Sequence, residues 1–320
     1  MLTVKQRWLD YWFAPIEPER LALGRIVFYG ALFLLYALSD LRPFAQIAAF
    51  WSPLPTFALL GLPAPTVGGL AVAQLVWKIA LLCCCVGFLT RPAAVVSFLL
   101  GFYLIGLPYN FGSLKHDDAI AVIVLGVLAL ARTGDAYSLD RWLATRRKSS
   151  RPVTSSGEYR WPLRFVCLLT VWVFCAAGLS KLRLSGLEWI FSDTLVIMLR
   201  QNQYHLTPAD PLPLIGPLLA RVGWLCKLMA AFTIVVEVLM PLALLGGWAR
   251  RIILPCGVLL LIGFRAALGP DFIRLIICMS FWVPWDTLFA RLVAWWQACA
   301  VQRGAAVSVP VGQLTPPPAN

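Results

Sequence analysis

Charge is scarce in this sequence. Only 13% of its 320 residues are Asp, Glu, Lys or Arg, against 60% hydrophobic residues and a mean hydropathy of +0.78. A soluble domain is roughly a quarter charged and half apolar, so composition excludes that class and indicates an integral membrane protein. Histidine is nearly absent, with 2 in the chain, and none of the 9 cysteines forms a CxxC pair. The spacings of a structural metal site or a c-type haem attachment are therefore missing. A glycine-rich phosphate loop is missing too, which removes the usual nucleotide enzymes. There is no internal repeat of the kind on which many transporters are built. The net charge of +12 does not indicate nucleic acid as a partner, because the basic residues lie mostly in short connectors between apolar runs. There they set topology and meet the lipid bilayer. No cleaved signal peptide is expected, since the first apolar run follows a polar N-terminus and is long enough to remain as a span.

The apolar runs predict an all-α polytopic membrane bundle of about eight transmembrane helices, with interfacial helices at both ends. Residues 1–20, with Trp8, Tyr11, Trp12 and Phe13 among charges, read as an interfacial helix. Residues 21–286 form the transmembrane domain. Its expected spans are Leu21 to Ser39, Val67 to Leu89, Ala93 to Leu107, Ala119 to Ala131, Trp161 to Leu179, Gly223 to Leu245, Ile252 to Leu268 and a short eighth from Phe272 to Pro284. Residues 40 to 66 are apolar but broken by five prolines, and residues 132 to 160 are the longest hydrophilic connector. Residues 287–320 are a Trp-rich interfacial helix and a Pro-rich tail. The cysteines lie within apolar segments and read as buried thiols acting as small hydrophobes.

Alternating the eight spans from an N-terminus inside puts 15 basic residues on the inner side and 6 on the outer, with the rest inside spans. This excess places both termini in the cytoplasm of a multi-pass inner-membrane protein. On that topology Lys181, His116, Lys227 and Arg265 share one outer layer with Asp117, Asp118 and Asp271. Lys227 and Arg265 then lie roughly 5 to 6 Å below the outer helix ends. Glu237 is deeper, about 14 residues or roughly 21 Å from the outer end. Arg25 and Lys78 are the buried-depth cations that it can meet. An intramembrane carboxylate marks either a packing ion pair or a proton-handling group.

The most pointed feature is Ala176-Ala177-Gly178-Leu179-Ser180-Lys181-Leu182, running on to Trp189. Here an apolar span ends in small residues and then a lysine. A lysine at this place is an anchor that reaches for water or a base whose proton affinity is lowered by burial. Asp117 and Asp118 open the fourth span, where carboxylates cap free backbone N–H groups.

These residues carry a resemblance. The opening Phe13-Ala14-Pro15-Ile16-Glu17 with Leu21 to Ile26, the Asn110 to Asp118 loop with His116, the Ala177 to Leu182 step with Trp189, and Glu237 ahead of Pro241 and Arg250 resemble the HTTM family. That family shares the membrane region of vitamin K-dependent gamma-carboxylase. The resemblance spans roughly residues 10 to 290, and the Ala-Gly-x-x-Lys-Leu step is its most specific part. It implies that Lys181 is the base that starts hydroquinone oxygenation, on a periplasmic face, with His116 beside it. It also implies a quinol as cofactor or substrate, with Arg265, Lys227 and Trp189 as candidates for binding it. The family carries a further histidine on a later span, where this chain has Arg265. The large lumenal portion that recognises peptide in the carboxylases is not expected here. Two functions follow as expectations. One is a quinol- or lipid-dependent modifying enzyme using Lys181. The other is a non-catalytic maturation, assembly or binding protein whose outer cavity holds a lipid or a secreted peptide.

Overall fold

A computed structural model describes residues 3–112, 118–147, 152–201 and 215–302. The described chain is helical. Among the described residues there is no strand, only a single bridge between Ile16 and Ser156. Contacts divide it into two units, Met1–Val283 and Pro284–Asn320.

The larger unit begins with α1 (Val4–Phe13), closed at its start by a capping box in which Thr3 and Gln6 satisfy each other's backbone N–H groups. It has no buried residue, as suits a helix lying on an interface. Helix α2 (Pro18–Ala37) starts with proline at its first position, where the missing N–H costs nothing. The proline-broken region holds two short pieces, α3 (Pro43–Gln46) and α4 (Pro55–Leu59). Helix α5 (Val67–Val86) is capped by Thr66 and stopped by Gly87 in the left-handed region at φ +73°. Helix α6 (Thr90–Gly106) follows at once. Its free N-terminal groups are satisfied from a distance, because the Asp140 carboxylate accepts from the Leu89 N–H, the Thr90 N–H and the Thr90 hydroxyl at 2.7–2.8 Å.

Helix α7 (Asp118–Leu130) follows with 13 described residues. After it comes α8 (Leu139–Arg146), inside what the sequence presents as a hydrophilic connector. Helix α9 (Arg160–Ser185) is the longest at 26 residues. Three short pieces follow: α10 (Glu188–Phe191), α11 (Thr194–Gln201) and α12 (Gly216–Leu219). Then come α13 (Gly223–Leu239), continued by a 3-10 turn to Leu245, and α14 (Gly247–Ala267). Helix α15 (Ile273–Met279) ends the larger unit with a 3-10 turn to Trp282.

Among the described residues, six helices are long and apolar enough to cross a membrane, or seven if the bent pair Ile273–Trp282 and Trp285–Cys299 is one span, against the eight expected from the apolar runs. The chain is an all-α polytopic membrane bundle. The fourth expected span is α7, about 20 Å at 1.5 Å per residue against a hydrocarbon core of roughly 30 Å. The eighth is shorter still.

Helices α2, α5, α6 and α7 pack in sequence order as one half of the larger unit, and α9, α13 and α14 form the other. Helix α15 lies between the halves, against α7, α2 and α9, with Leu275, Cys278, Phe281 and Trp282 buried. Helix α5 shows how these elements sort their faces. Leu70, Gln74, Trp77, Leu81 and Cys84 are buried, while Leu75, Ile79, Leu82 and Val86 are exposed. Apolar residues occupy both sides because lipid replaces water as the solvent, so packing rather than hydrophobicity distinguishes the inner face.

The smaller unit is α16 (Trp285–Gln302). Its exposed Leu288, Phe289, Leu292, Trp295 and Trp296 follow helical spacing and form one apolar stripe.

Candidate functional site

The small-residue step does not end a helix. Helix α9 runs through it to Ser185 and stops at Gly186, at φ +57°. Lys181 is therefore a helical residue, one turn beyond Gly178 on the same face. That face meets α13. A Cβ added at Gly178 would lie 2.8 Å from the Glu237 Cβ and 3.1 Å from a Val238 methyl, so glycine is what lets the two helices approach. With the backbones this close, the Lys181 ammonium reaches back and donates to both carboxylate oxygens of Glu237, at 2.7 Å each. Glu237 is 3% exposed and Lys181 20%. The Trp189 ring, carried by α10, stands 5.6 Å from the Lys181 nitrogen. Its indole N–H is buried and makes no hydrogen bond.

This corrects the depth assignment from sequence, which separated an outer-rim Lys181 from a Glu237 roughly 21 Å deep. Continuation of α9, close approach at Gly178 and a long lysine stem bring them together. The partner of Glu237 is thus neither Arg25 nor Lys78.

Those two cations serve backbone. Arg25 is fully buried, and its guanidinium donates to the carbonyls of Thr133 and Tyr137, both at 2.7 Å. It fastens the chain between α7 and α8 onto α2. The Lys78 ammonium donates at 3.0 Å to the carbonyls of Ala37 and Ser39, satisfying the open C-terminal end of α2.

The residues expected in one outer layer have separate surroundings. Lys227 is exposed on α13, ten positions before Glu237. The Arg265 guanidinium donates to the Gly269 carbonyl at 3.0 Å, beyond its own helix end. His116 and Asp117 lie outside the described residues. Asp118, expected as a cap, is the first described residue of α7, and its carboxylate is 2.8 Å from the Arg274 guanidinium. The approach is ionic rather than a well-directed hydrogen bond, as that oxygen is buried without one. Arg274 also donates through Nε to the Tyr36 hydroxyl at 2.7 Å. This second buried charge pair ties α7, α15 and α2 together. Sequence reasoning passed over Arg274. The available signal was a cation near the start of a short apolar run, which needs a partner at membrane depth.

Chemically, the Lys181–Glu237 pair holds one proton in two ways: as ammonium with carboxylate, or as amine with carboxylic acid. Both forms are neutral overall, which is the form of charge a low-dielectric interior tolerates. The second presents a free amine. Among the described residues no group of three or more His, Cys, Asp or Glu is placed to hold a metal.

No family model, no curated protein and no solved structure matches this chain.

Proposed function

We propose that this membrane protein is an enzyme acting on a lipid-soluble substrate of the quinol class, with Lys181 as the base and Glu237 as the group that shares its proton. The observation that carries this reading is the bidentate contact at 2.7 Å between an amine and a nearly inaccessible carboxylate. An intramembrane ionisable pair next to an aromatic ring is the arrangement expected where a hydrophobic substrate must lose a proton. In the step proposed, the amine form of Lys181, with the shared proton held on Glu237, takes the proton of a quinol hydroxyl, leaving the quinol oxyanion, an ammonium and the neutral Glu237 acid. The ammonium of Lys181 then offsets the oxyanion, and the Glu237 acid adds no second negative charge beside it. Trp189 offers a flat apolar wall for the ring of such a substrate. The reading agrees with the HTTM resemblance and with the basic-residue asymmetry, which assigns the Lys181 end of α9 to the periplasmic side of an inner membrane and both termini to the cytoplasm. Native mass spectrometry of the detergent-purified protein tests it. Quinone should co-purify with the wild type and be lost from Lys181→Ala. Absence of quinone from the wild type, or equal retention in the variant, overturns the reading.

A second reading is favoured by the completeness of the pair, since both Glu237 oxygens are already occupied. Here the pair is a clamp between α9 and α13 in a non-catalytic protein that binds lipid or assists a secreted peptide. Under this reading a Lys181→Met, Glu237→Leu double variant keeps cellular function. Under the first it folds and loses it.

A further inference from the structure

Away from the lysine, four arginines converge. Arg20 is in the first turn of α2, Arg160 and Arg164 are in the first two turns of α9, and Arg250 is in the first turn of α14. Together they line a cavity of about 110 Å³, with Cys167, Phe281 and Trp282 also in its wall. A cavity needs only roughly 10–15 Å³ to hold one water, so this one has room for a larger polar group. Arg160 is 21 positions before Lys181 on the same helix, about 30 Å along its axis. The cavity and the Lys181–Glu237 pair are therefore separate sites, near opposite ends of α9.

Four like charges do not gather around one cavity without cost, since each disfavours the others when half-buried. Among the described residues none of the four forms an ion pair with a carboxylate; the ion pairs are made elsewhere. Their contacts are to neutral groups. Arg160 donates to the Tyr11 carbonyl at 3.2 Å and Arg250 to the Ala243 carbonyl at 3.1 Å. Arg164 stands 4.7 Å over the Tyr11 ring and Arg250 5.2 Å over that of Trp282. The Arg20 Nε is buried with no hydrogen-bond partner at all. Asp10 on exposed α1 is an acid within electrostatic range of Arg160, but it makes no bond to it. Besides the side chains, the first turns of three long helices carry these arginines, and the positive ends of their dipoles favour negative charge.

We propose that this cavity is a binding site for a phosphate ester, with Arg20, Arg160, Arg164 and Arg250 as its donors. Guanidinium groups match phosphate oxygens two at a time, and the unbonded Arg20 Nε supplies a donor that the protein leaves open. The surroundings indicate where such a phosphate comes from. The site opens at the ends of membrane-crossing helices beside Tyr11, on a helix rich in tryptophan, which is the level of lipid headgroups. An anionic phospholipid and free phosphate offer the same chemistry, and the test separates them.

The full chain is purified in detergent, stripped of lipid, and its thermal unfolding followed with three probes: phosphatidylglycerol in the micelles, phosphatidylcholine in the micelles, and inorganic phosphate alone. Retained lipid is read by native mass spectrometry. Stabilisation and retention with phosphatidylglycerol, weakened about tenfold in Arg20→Gln and in Arg164→Gln, support a lipid headgroup site. Stabilisation by inorganic phosphate to the same extent, lost in the same variants, supports the phosphate site with a soluble ligand. Arg91→Gln, on an exposed residue outside the cavity, should behave as wild type. In ligand-free micelles the two cavity variants should unfold at the same or a higher temperature than wild type, because removing one charge relieves the others. This shows that they fold. Equal response to all three probes, or a response unchanged in Arg20→Gln and Arg164→Gln, overturns the proposal.

Discussion

Gly178 on α9 and Glu237 on α13 are in backbone-level contact, so close that a methyl group on the glycine would lie 2.8 Å from the Glu237 Cβ. The Lys181–Glu237 pair depends on this approach. Gly178→Ala should push α13 away or rotate Glu237, lengthening the pair. Gly178→Val should do more, since overpacking a tight contact costs about 1–3 kcal/mol. A fall in thermal stability graded Gly, Ala, Val, together with loss of any quinone retention before loss of fold, is the expected result. An alanine variant as stable as wild type would show that the helices are not held at this distance.

The pair itself makes an asymmetric prediction. Lys181→Met leaves a buried carboxylate with no counter-charge, a loss of about 3–5 kcal/mol by the usual cost of breaking such a pair. Lys181→Met with Glu237→Leu removes both charges and should recover most of that stability. The check is thermal unfolding of the two single variants and the double variant in one detergent. If the double variant loses the sum of the two singles, the residues are not coupled in the folded protein.

Arg274 and Asp118 provide a comparable case at the other charge pair. Arg274→Leu strands the Asp118 carboxylate and also removes the donor to the Tyr36 hydroxyl. Arg274→Lys restores a charge but lacks the fork that serves two partners, so it should recover only part of the loss. A lysine variant of full stability would reduce the arginine's role to charge alone.

Arg25 predicts a local effect. Its two donors hold the Thr133 and Tyr137 carbonyls, and each hydrogen bond from a charged group contributes about 1.5–3 kcal/mol. Arg25→Leu should therefore free the 132–138 segment and expose it to protease while the helices persist. Limited proteolysis with identification of the cut sites is the direct measurement. Cleavage spread evenly over the chain would instead indicate global unfolding.

Hydropathy made most of the bundle legible, because a span of apolar residues has few alternatives in lipid. The hydrophilic connector between α7 and α9 was not, since its polar residues read the same whether they face water or cap a neighbouring helix as Asp140 of α8 does. Lys181, Glu237 and Trp189 were each visible as residues out of place in an apolar context. Their pairing is hidden in the sequence because the small-residue step reads as a helix end, whereas α9 runs on to Ser185. The residues Ala176-Ala177-Gly178 look like a terminus in sequence but form a packing surface in the fold, and only the identity of the facing helix separates the two. Arg265 and Lys227 shared a counted depth with Lys181, yet depth leaves helix rotation undetermined, and rotation decides what a side chain meets.

The short α7 has a consequence for the lipid around it. Ala119, Ile123 and Leu130 are exposed along its outer side, so lipid borders a helix whose apolar length is about 10 Å less than the hydrocarbon core. A bilayer meets such a deficit by thinning, at fractions of a kcal/mol per Å. The Asp118–Arg274 pair lies at the end of that helix, where a thinned bilayer lets water approach. The protein should thus impose an uneven lipid boundary, pinched beside α7 and of ordinary thickness beside α9, and should gather shorter-chain lipids on the pinched side.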